Sequence, residues 1–547
     1  MSKTFLIFFS FFFFFINSYT SFAKEKDFIV SSANPIATKI GKNILKNNGN
    51  AMDAAIAIQL ILNLTEPQSS GIGGGGFLLY YNKKENKLHF YDGRETAPLN
   101  IKKEYFLNKK NEPLKFYDAA IGGISVGVPG LLSMLEMAHI DNGNLNWSEL
   151  FKPAIKLSKK GFPISPRLYE KIKNDKYLYL MSSSKKYFYL DEGPKQIGYL
   201  LKNPKFAYSL ESIAQNGSNS FYNGELAEEI IKQIRNAPIR KGIMNLEDLS
   251  NYKAVKRKPL CKKYKNYKIC TAPLPSGGGM TILQVLGVLE KFQLSRETIK
   301  NDIHLIIEAS KYAYLDRYKY LGDPDFNQLD ANELLSEEYL NKIAKKIRNK
   351  EIVKINLEKN IEKVERSTTH FSIYDNDGNV VSMTSSIENS FGSRLMAGGF
   401  LLNNQLTDFD FKSKNGLHMN NLVEPNKRPL SSMSPTIIFD NNNNVKMAIG
   451  SPGGKSIPMY IIKTIVAVLE WEMGIQEAVD FPNFSLGKNH IFLEKNKFNK
   501  KIKNYLVNLG YSIKEKDLNS GLHGFTIKNQ EVSGAADFRR EGLFLTK

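Results

Sequence analysis

The chain changes character within one seven-residue stretch, Ser367-Thr368-Thr369-His370-Phe371-Ser372-Ile373. Upstream of it, residues 330–367 are charged and either helical or loose. From Thr369 onward the side chains follow a period of two, which is typical of β-strands and runs through residues 371, 373, 380, 382, 384 and 386. A loose polar segment that leads straight into a strand is compatible with a processing site at Thr368.

The threonine at the start of this strand has a chemical reason to be processed. A threonine hydroxyl is a weak nucleophile unless a base lies beside it, and an N-terminal threonine supplies that base with its own α-amine. Such an amine requires cleavage of the bond between Ser367 and Thr368. The Thr368 hydroxyl can perform this cleavage by attacking the preceding carbonyl, which gives an ester that water opens. Taken alone, the stretch fits an ordinary strand start better, because Ser-Thr-Thr-His has no rarity of its own.

Polar clusters after the strand point to acyl-transfer chemistry. They are Asn403-Asn404-Gln405 with Asp408, Arg428-Pro429-Leu430-Ser431-Ser432-Met433-Ser434-Pro435, and Ser451-Pro452-Gly453-Gly454. Strands that are apolar at alternate positions normally end in turns rather than in clusters of hydroxyls, amides and a carboxylate. Together the clusters offer a nucleophile, a site for an anion and a site for a cation.

The rest of the chain reads as a globular α+β protein. With 547 residues, 42% of them hydrophobic and 24% charged, it can bury a large core and form several domains. Helical patterns cover residues 36–46, 51–62, 276–292 and 302–321, and residues 100–260 are mostly helical. The glycine run at 73–76 lacks the Lys-Ser/Thr ending and the following helix of a phosphate loop, so we expect close backbone packing near a ligand there.

The N-terminal segment and the charge concern location and partners. Residues 1–23 combine Lys3, an apolar run and the small residues Ser21 and Ala23, which predicts a secretory signal cleaved after Ala23. An uncleaved anchor is the alternative, although a run of about 12 apolar residues is short for a membrane span. We expect a periplasmic or secreted protein without a membrane anchor after signal removal. The charge of +20 is spread among many asparagines, so we expect no nucleic-acid partner, with polyanion binding as the alternative.

Two cysteines, Cys261 and Cys270, flank a segment that reads as a β-hairpin. If Lys265-Asn266 forms the turn, the cysteines lie opposite one another on adjacent strands. In an exported protein this arrangement favours a disulfide, provided that the strand geometry permits the bond. A metal site needs further ligands nearby, and the sequence offers none, so we predict no metal.

Further motifs show that the sequence resembles the γ-glutamyltransferases, a family of N-terminal-nucleophile hydrolases, over nearly the whole mature chain. The resemblance rests on residues 47–62, 71–77, 92–98 and 320–326 in the first half, and on residues 368–370, 402–405, 426–435 and 450–454 in the second. It implies a four-layer αββα sandwich, with the Thr368 strand inside one sheet next to strands from residues 370–450. It also implies a precursor that divides into residues 24–367 (large subunit) and 368–547 (small subunit). The implied substrates are glutathione and other γ-glutamyl compounds, without a cofactor.

The resemblance assigns the catalytic residues. Thr368 is the implied self-cleaving residue and nucleophile, and Gly453 and Gly454 donate the oxyanion-hole amides. Thr384 and Ser386 match the positions that hold the hydroxyl and amine of the nucleophile. Ser386 stands where a threonine is expected, which keeps the hydroxyl and loses a methyl group.

The resemblance also assigns the recognition of the donor. Arg94, with Ser431 and Ser432, is expected to bind the α-carboxylate of a γ-glutamyl group. The residues expected to bind its α-ammonium are Asp408, Gln405 and Glu388, with Glu388 standing where an asparagine is expected. The loop at 409–427 is shorter than in members with an active-site lid and contains no tyrosine. We therefore expect an open acceptor side that favours water or bulky acceptors, and the balance between hydrolysis and transfer stays open.

Two other functions fit parts of the sequence. One is an acylase on the same scaffold, which would have no use for the charges of Arg94 and Asp408. The other is a non-catalytic periplasmic binder of γ-glutamyl peptides, which would have no use for an intact Thr368. Cleavage into two chains distinguishes the enzyme from the binder.

Overall fold

The computed structural model of the chain describes residues 27–327, 329–350, 367–413 and 419–547. The predicted signal peptide at 1–23 therefore lies outside the described residues. Within the described ranges, no helix combines the length and the apolar character that crossing a membrane requires.

The helices follow the predicted patterns closely. In chain order they are α1 Pro35–Lys46, α2 Ala51–Thr65, α3 Phe116–Ala120, α4 Leu131–Asn142, α5 Trp147–Lys160, α6 Pro166–Asn174, α7 Ser182–Phe188, α8 Pro204–Asn216, α9 Asn219–Tyr222, α10 Glu225–Arg235, α11 Leu246–Ser250, α12 Gly277–Leu289, α13 Ile299–Tyr320, α14 Ala331–Leu334, α15 Glu337–Arg348, α16 Ile457–Leu469, α17 Ile475–Asp480 and α18 Lys500–Asn508. Helix α2 begins with a capping box between Asn50 and Asp53 and is buried along its whole length.

The strands fall into two large sheets and several small ones. In chain order they are β1 Ile29–Ser32, β2 Gly75–Asn82, β3 Lys87–Gly93, β4 Phe162–Pro163, β5 Tyr189–Leu190, β6 Gly193–Pro194, β7 Leu200–Leu201, β8 Val255–Arg257, β9 Leu260–Tyr264, β10 Tyr267–Thr271, β11 Thr369–Tyr374, β12 Val380–Ser386, β13 Met396–Ala397, β14 Phe400–Leu401, β15 Thr436–Asp440, β16 Val445–Gly450, β17 Phe484–Leu486, β18 Ile491–Glu494, β19 Ile513–Lys516, β20 His523–Lys528, β21 Glu531–Ala536 and β22 Leu543–Thr546. One sheet has the order β22-β1-β11-β12-β2-β3-β8 and the other the order β21-β20-β16-β15-β10-β9.

The two large sheets pack face to face between two layers of helices. Strand β2 shows this by alternation, because Leu78 and Tyr80 join a core with α2, α4 and α5, whereas Phe77, Leu79 and Tyr81 join a core with the second sheet. Helices α12, α13 and α16 cover the outer face of that second sheet. The predicted four-layer αββα sandwich is confirmed.

The strand that follows Thr368 lies inside the seven-stranded sheet. Strand β11 pairs with β12 on one side, as predicted, and with β1 on the other. The second neighbour therefore comes from residues 29–32 and not from residues 370–450. Strands β15 and β16 from that range belong to the facing sheet.

Two local predictions can be compared directly with the structure. Strands β9 and β10 pair Cys261 with Cys270, and the structure joins these cysteines in a disulfide. At the glycine run, a Cβ atom at Gly73 or Gly74 would lie 2.2 Å from the carbonyl oxygen of Leu401 or Ser386. The predicted close backbone packing is confirmed at these two glycines.

Candidate active site

A pocket opens to solvent where the polar clusters of the second half meet. Of the residues predicted for the site, those that line it are Thr368, Ser386, Glu388, Gln405, Asp408, Ser431, Ser432 and Gly454. Lining residues that the sequence did not reveal include Arg317, Tyr318, Asp410, Asn421 and Lys455. Arg94, Thr384 and Gly453 are not among the lining residues.

Strand pairing places Ser386 beside the predicted nucleophile. The antiparallel register joins Thr369 to Ser385 and His370 to Thr384, so the next position along sets Thr368 opposite Ser386. Their hydroxyl oxygens, Thr368 Oγ1 and Ser386 Oγ, lie 3.0 Å apart. Thr368 itself is only 4% exposed.

The hydrogen bonds of Ser386 fix the direction of this contact. Its hydroxyl donates to the carbonyl oxygen of Ser367 at 3.0 Å and accepts from the Glu388 amide N–H at 2.9 Å. A hydroxyl has one proton to donate and two lone pairs to accept with. The remaining contact therefore has the Thr368 hydroxyl donating to Ser386, which leaves lone pairs of Thr368 Oγ1 unshared.

The peptide bond between Ser367 and Thr368 is held from several sides. The Ser367 amide N–H donates to the Glu388 carbonyl at 2.8 Å, and its hydroxyl lies 2.9 Å from that of Ser69. On the other side, Nη1 of Arg540 donates to the Thr368 carbonyl at 2.8 Å. Burial lowers the pKa of the Arg540 guanidinium to about 9. The bond predicted to be cut is thus buried and fixed in place.

Thr384 lies on the same face of β12 as Ser386 but has a different partner. Its hydroxyl is 2.8 Å from Nδ1 of His370, whose Nε2 is 3.1 Å from the Ser372 hydroxyl. Burial is the main cause that holds the pKa of His370 well below its usual range, so the ring is neutral. The Thr384 hydroxyl therefore contacts His370, and only Ser386 of the predicted pair contacts the Thr368 hydroxyl.

The two glycines predicted for the oxyanion hole adopt a backbone that favours glycine. Gly453 has φ +137° and Gly454 has φ +57°. A Cβ atom on Gly453 would lie 2.6 Å from the ring of Tyr460. Among the residues that the structure describes, neither amide N–H donates to a backbone or side-chain acceptor. Both glycines are half-buried.

Arg94 and Asp408 are bound to one another. Nη2 of Arg94 donates to the Asp408 carboxylate at 2.7 Å, and the same carboxylate oxygen accepts from the Gln405 amide at 2.9 Å. Arg94 also donates to the carbonyl oxygens of Pro429 at 3.0 Å and Leu430 at 3.3 Å. Its side chain is 0% exposed, so the structure places it behind the pocket wall, beyond direct reach of a ligand in this state.

Glu388 lies in the pocket in a conformation that suits another residue better. Its backbone φ is +77°, a left-handed value that asparagine and glycine adopt more readily than glutamate. Its carboxylate accepts from the Asn404 side-chain amide at 2.9 Å. Because its backbone also binds Ser367 and Ser386, Glu388 contacts both the predicted cleavage site and the predicted ammonium site.

The serine pair of the predicted anion site is anchored by groups from the first half. The Ser431 carbonyl accepts from the Gly277 amide at 3.0 Å and from Nη1 of Arg317 at 3.0 Å. Arg317 is 4% exposed and belongs to α13. In the sequence, the residues around it predicted a helix but no functional site. No sequence signal separated it from the other charged residues of that helix.

Asn421 fixes the part of the short loop that is described. Its side-chain amide donates to the Asp408 carbonyl at 2.9 Å and to the Asp410 carboxylate at 2.8 Å, and its oxygen accepts from the Leu430 amide at 2.8 Å. Residues 414–418 of the loop lie outside the described residues. The predicted open acceptor side therefore stays a prediction.

Glu95 adds a second carboxyl group behind Arg94. It is fully buried, and its Oε2 lies 3.4 Å from Nη1 of Arg94. Burial outweighs the attraction of the guanidinium and raises the pKa of Glu95 to about 8. The Arg94 guanidinium thus lies between the Asp408 side chain, which it binds, and a carboxyl that is largely protonated at neutral pH.

Comparison with known proteins gives a consistent family. The family model described as gamma-glutamyltranspeptidase matches residues 37–546. A glutathione hydrolase proenzyme of Bacillus subtilis is 34% identical, over 94% of this chain and 91% of the relative. The glutathione hydrolase proenzyme of Escherichia coli is 35% identical, over 84% of this chain and 81% of the relative.

Solved structures agree with the fold. The cephalosporin acylase of Bacillus halodurans superimposes with a TM-score of 0.82 at 25% identity, over 95% of this chain and 96% of the other. The gamma-glutamyltranspeptidase of Helicobacter pylori superimposes with a TM-score of 0.55 at 35% identity, over 58% of this chain and 90% of the other.

Proposed function

The chain belongs to the gamma-glutamyltranspeptidase family, and from this premise we propose how its own residues carry out self-processing and catalysis. It is a γ-glutamyltransferase and glutathione hydrolase that is made as a proenzyme. The observation that carries the proposal is the hydroxyl of Thr368, which is bound to Ser386 while Ser386 is bound to the carbonyl of Ser367.

Self-cleavage is proposed to begin in this arrangement. Oγ1 of Thr368 attacks the carbonyl carbon of Ser367 while Ser386 relays a proton: its hydroxyl takes up the proton of the Thr368 hydroxyl and passes its own proton to the carbonyl oxygen. The carbonyl re-forms as the bond from that carbon to the Thr368 nitrogen breaks, and the proton released by the oxygen goes to the nitrogen, which becomes an amine. Water then opens the resulting ester, which leaves a carboxylate on Ser367 and a free N-terminal Thr368.

The new amine is proposed to act as the general base in catalysis. It accepts the proton of the Thr368 hydroxyl as Oγ1 attacks the γ-carbonyl of a donor, and the Gly453 and Gly454 amides stabilise the oxyanion. The carbon–nitrogen bond of the donor breaks, the leaving amine receives the proton, and a γ-glutamyl-threonine ester remains. Water, or the amine of an amino acid or peptide, attacks that ester and frees Thr368.

Donor recognition is proposed to use the charged groups beside the nucleophile. The α-ammonium of the γ-glutamyl group lies near Asp408, Gln405 and Glu388, and the α-carboxylate lies near Ser431 and Ser432. Arg94 is proposed either to bind that carboxylate after releasing Asp408, or to act only by orienting Asp408. We further propose that the protein is exported to the periplasm or beyond, and that residues 24–367 and 368–547 form its two chains.

Electrophoresis of the expressed protein tests this function. We expect two bands, with the N-terminus of the smaller fragment at Thr368, and hydrolysis of glutathione by the cleaved protein. A single band in a soluble, folded protein would support the non-catalytic binder instead. A cleaved protein that hydrolyses only amides without the glutamyl head group would support the acylase, which the superposition on the cephalosporin acylase keeps as the second candidate.

A further inference from the structure

One cation at the mouth of the pocket has no part in the chemistry described so far. Lys455 follows Gly454 directly, lines the pocket and is half-buried. Its ammonium lies 5.2 Å from the centroid of the Tyr318 ring, which also lines the pocket. No carboxylate in the described ranges forms an ion pair with it.

The acidic side chains proposed to bind the donor ammonium, Glu388 and Asp408, are 4% and 13% exposed, so their charge lies on the inner wall of the pocket. Asp410, a third acidic lining residue, is bound by Asn421. Residues 453–456 are half-buried and form the outer rim. Lys455 therefore brings a positive charge to the solvent side of the reacting atoms.

The position of the nucleophile shows which part of a donor meets this rim. A reacting carbonyl carbon must lie close to Thr368 Oγ1 while its oxygen faces the Gly454 amide. A γ-glutamyl head then extends inward to the carboxylates that suit its ammonium. The leaving group must extend outward, past Lys455.

We propose that Lys455 determines specificity for leaving groups and acceptors that carry a free carboxylate, such as amino acids and short peptides with an unblocked C-terminus. The proposal rests on the proposed function. The ammonium offers three N–H donors, and the Tyr318 ring occupies only one side of it, so a carboxylate has room to bind. The same subsite serves leaving group and acceptor, because an acceptor enters by the path that the leaving group takes out.

Two matched donors isolate this contact. γ-Glutamylglycine and γ-glutamylglycinamide have the same size and differ only in a carboxylate against a neutral carboxamide. The specificity constant kcat/KM reports the step in which the leaving group is still present, whereas the later ester hydrolysis is common to both donors. We expect the protein to prefer γ-glutamylglycine.

Substitution of Lys455 should remove this preference. In Lys455→Gln, kcat/KM for γ-glutamylglycine should fall about three- to tenfold, between the values of an exposed ion pair and a charged hydrogen bond. The fall should appear mainly in KM, and γ-glutamylglycinamide should be nearly unaffected. Lys455→Arg should retain the preference. The control Lys528→Gln, at the exposed far end of β20, removes the same charge and should leave the ratio unchanged.

The outcomes separate the inference from the function. Cleavage into two chains shows that each variant folds. An equal loss on both donors would mean that Lys455 acts on the oxyanion or on folding, and no change on either would place it outside the subsite; both results overturn the inference and leave the function standing. A cleaved parent protein that hydrolyses neither donor overturns the proposed function, and the inference falls with it.

Discussion

The two sides of the pocket differ in which groups their hydrogen bonds connect. Around the bond before Thr368, hydrogen bonds run along the atoms that are expected to react, from the Thr368 hydroxyl to Ser386 and on to the Ser367 carbonyl. On the donor side, the charged groups bind one another, with Arg94 on Asp408 and Asn404 on Glu388.

This difference has a consequence for how each step begins. Self-cleavage needs little rearrangement, because its substrate is part of the folded chain and already in position. A donor, in contrast, must share Asp408 with a guanidinium that is 0% exposed. We therefore expect maturation to depend on few contacts and donor binding to depend on a network.

The largest effect is expected from removing Oγ1 of Thr368, the atom that both self-cleavage and donor hydrolysis need. Thr368→Ala should remain a single chain and show no γ-glutamyl hydrolysis, because the hydroxyl is the proposed nucleophile in both reactions. Thr368→Ser keeps a hydroxyl and should cleave. Electrophoresis and glutathione hydrolysis measure the two effects, and cleavage of the alanine variant at the same bond would show that the cut is not autocatalytic.

The next test concerns the cleavage side alone. Ser386→Ala should slow self-cleavage about 10²–10³-fold, the usual effect of losing one donor to a developing oxyanion. Ser386→Thr restores the hydroxyl and should cleave at nearly the parent rate. The measurement is the fraction of uncut precursor against time. Rapid cleavage of Ser386→Ala would show that the contact with the Ser367 carbonyl is incidental.

The third test breaks the donor network. Arg94→Lys keeps the charge but loses the planar fork that contacts Asp408 and two carbonyl oxygens. The fall in kcat/KM for the donor should correspond to about 1–3 kcal/mol of lost transition-state stabilisation, by analogy with charged hydrogen bonds, while self-cleavage continues. Equal damage to maturation would instead make Arg94 a structural residue.

Truncated donors then separate the two proposed roles of Arg94. Amides of glutaric acid lack the α-amine, and amides of 4-aminobutyric acid lack the α-carboxylate. If Arg94 binds the carboxylate, the second series should be insensitive to Arg94→Lys. If Arg94 orients Asp408, the first series should be the insensitive one.

A smaller effect is expected at Glu388. Glu388→Gln should weaken donors with a free α-amine and hardly affect those without it, because only the ammonium distinguishes them. The pH profile of kcat/KM for both donor types measures this. If Glu388 and Asp408 both face the ammonium, they repel each other in the empty site and the pKa of one of them rises, so amine-bearing donors should bind less well in acid, and the variant should flatten that dependence. Equal loss on both donor types would show that Glu388 does not recognise the amine.

The smallest effect concerns stability. Glu95 has a pKa of about 8 in the folded chain. At a pH above the ordinary pKa of a glutamate, it therefore keeps a proton in the folded chain that it loses in the unfolded chain. Its contribution to the free energy of unfolding therefore falls as pH rises toward and through 8. Glu95→Gln should lack this loss, so its Tm relative to the parent should rise from pH 6 to pH 9. Both chains should carry Thr368→Ala, which keeps them uncut; parallel Tm curves would refute the assignment.

The sequence predicted this architecture well where patterns are local. A period of two located β11 and β12, and a nine-residue spacing located the hairpin of Cys261 and Cys270. It did not predict which of Thr384 and Ser386 meets Thr368, because both lie on one face and only the pairing register decides. The Arg94–Asp408 pair joins residues 314 positions apart and left no local signal. Lys455 also received no role from the sequence, because only the glycines before it belonged to the motif that was interpreted.

The order of strands in the seven-stranded sheet has one further consequence. With the proposed cut before Thr368, β22, β11 and β12 would belong to the small chain, and β1, β2, β3 and β8 to the large one. Strand β1 would then be enclosed between two strands of the other product, and β12 would be bonded to β2 across a third boundary. The two products could not separate without breaking the sheet. Once separated, they would have to meet again as two molecules, so refolding after the cut should depend on protein concentration.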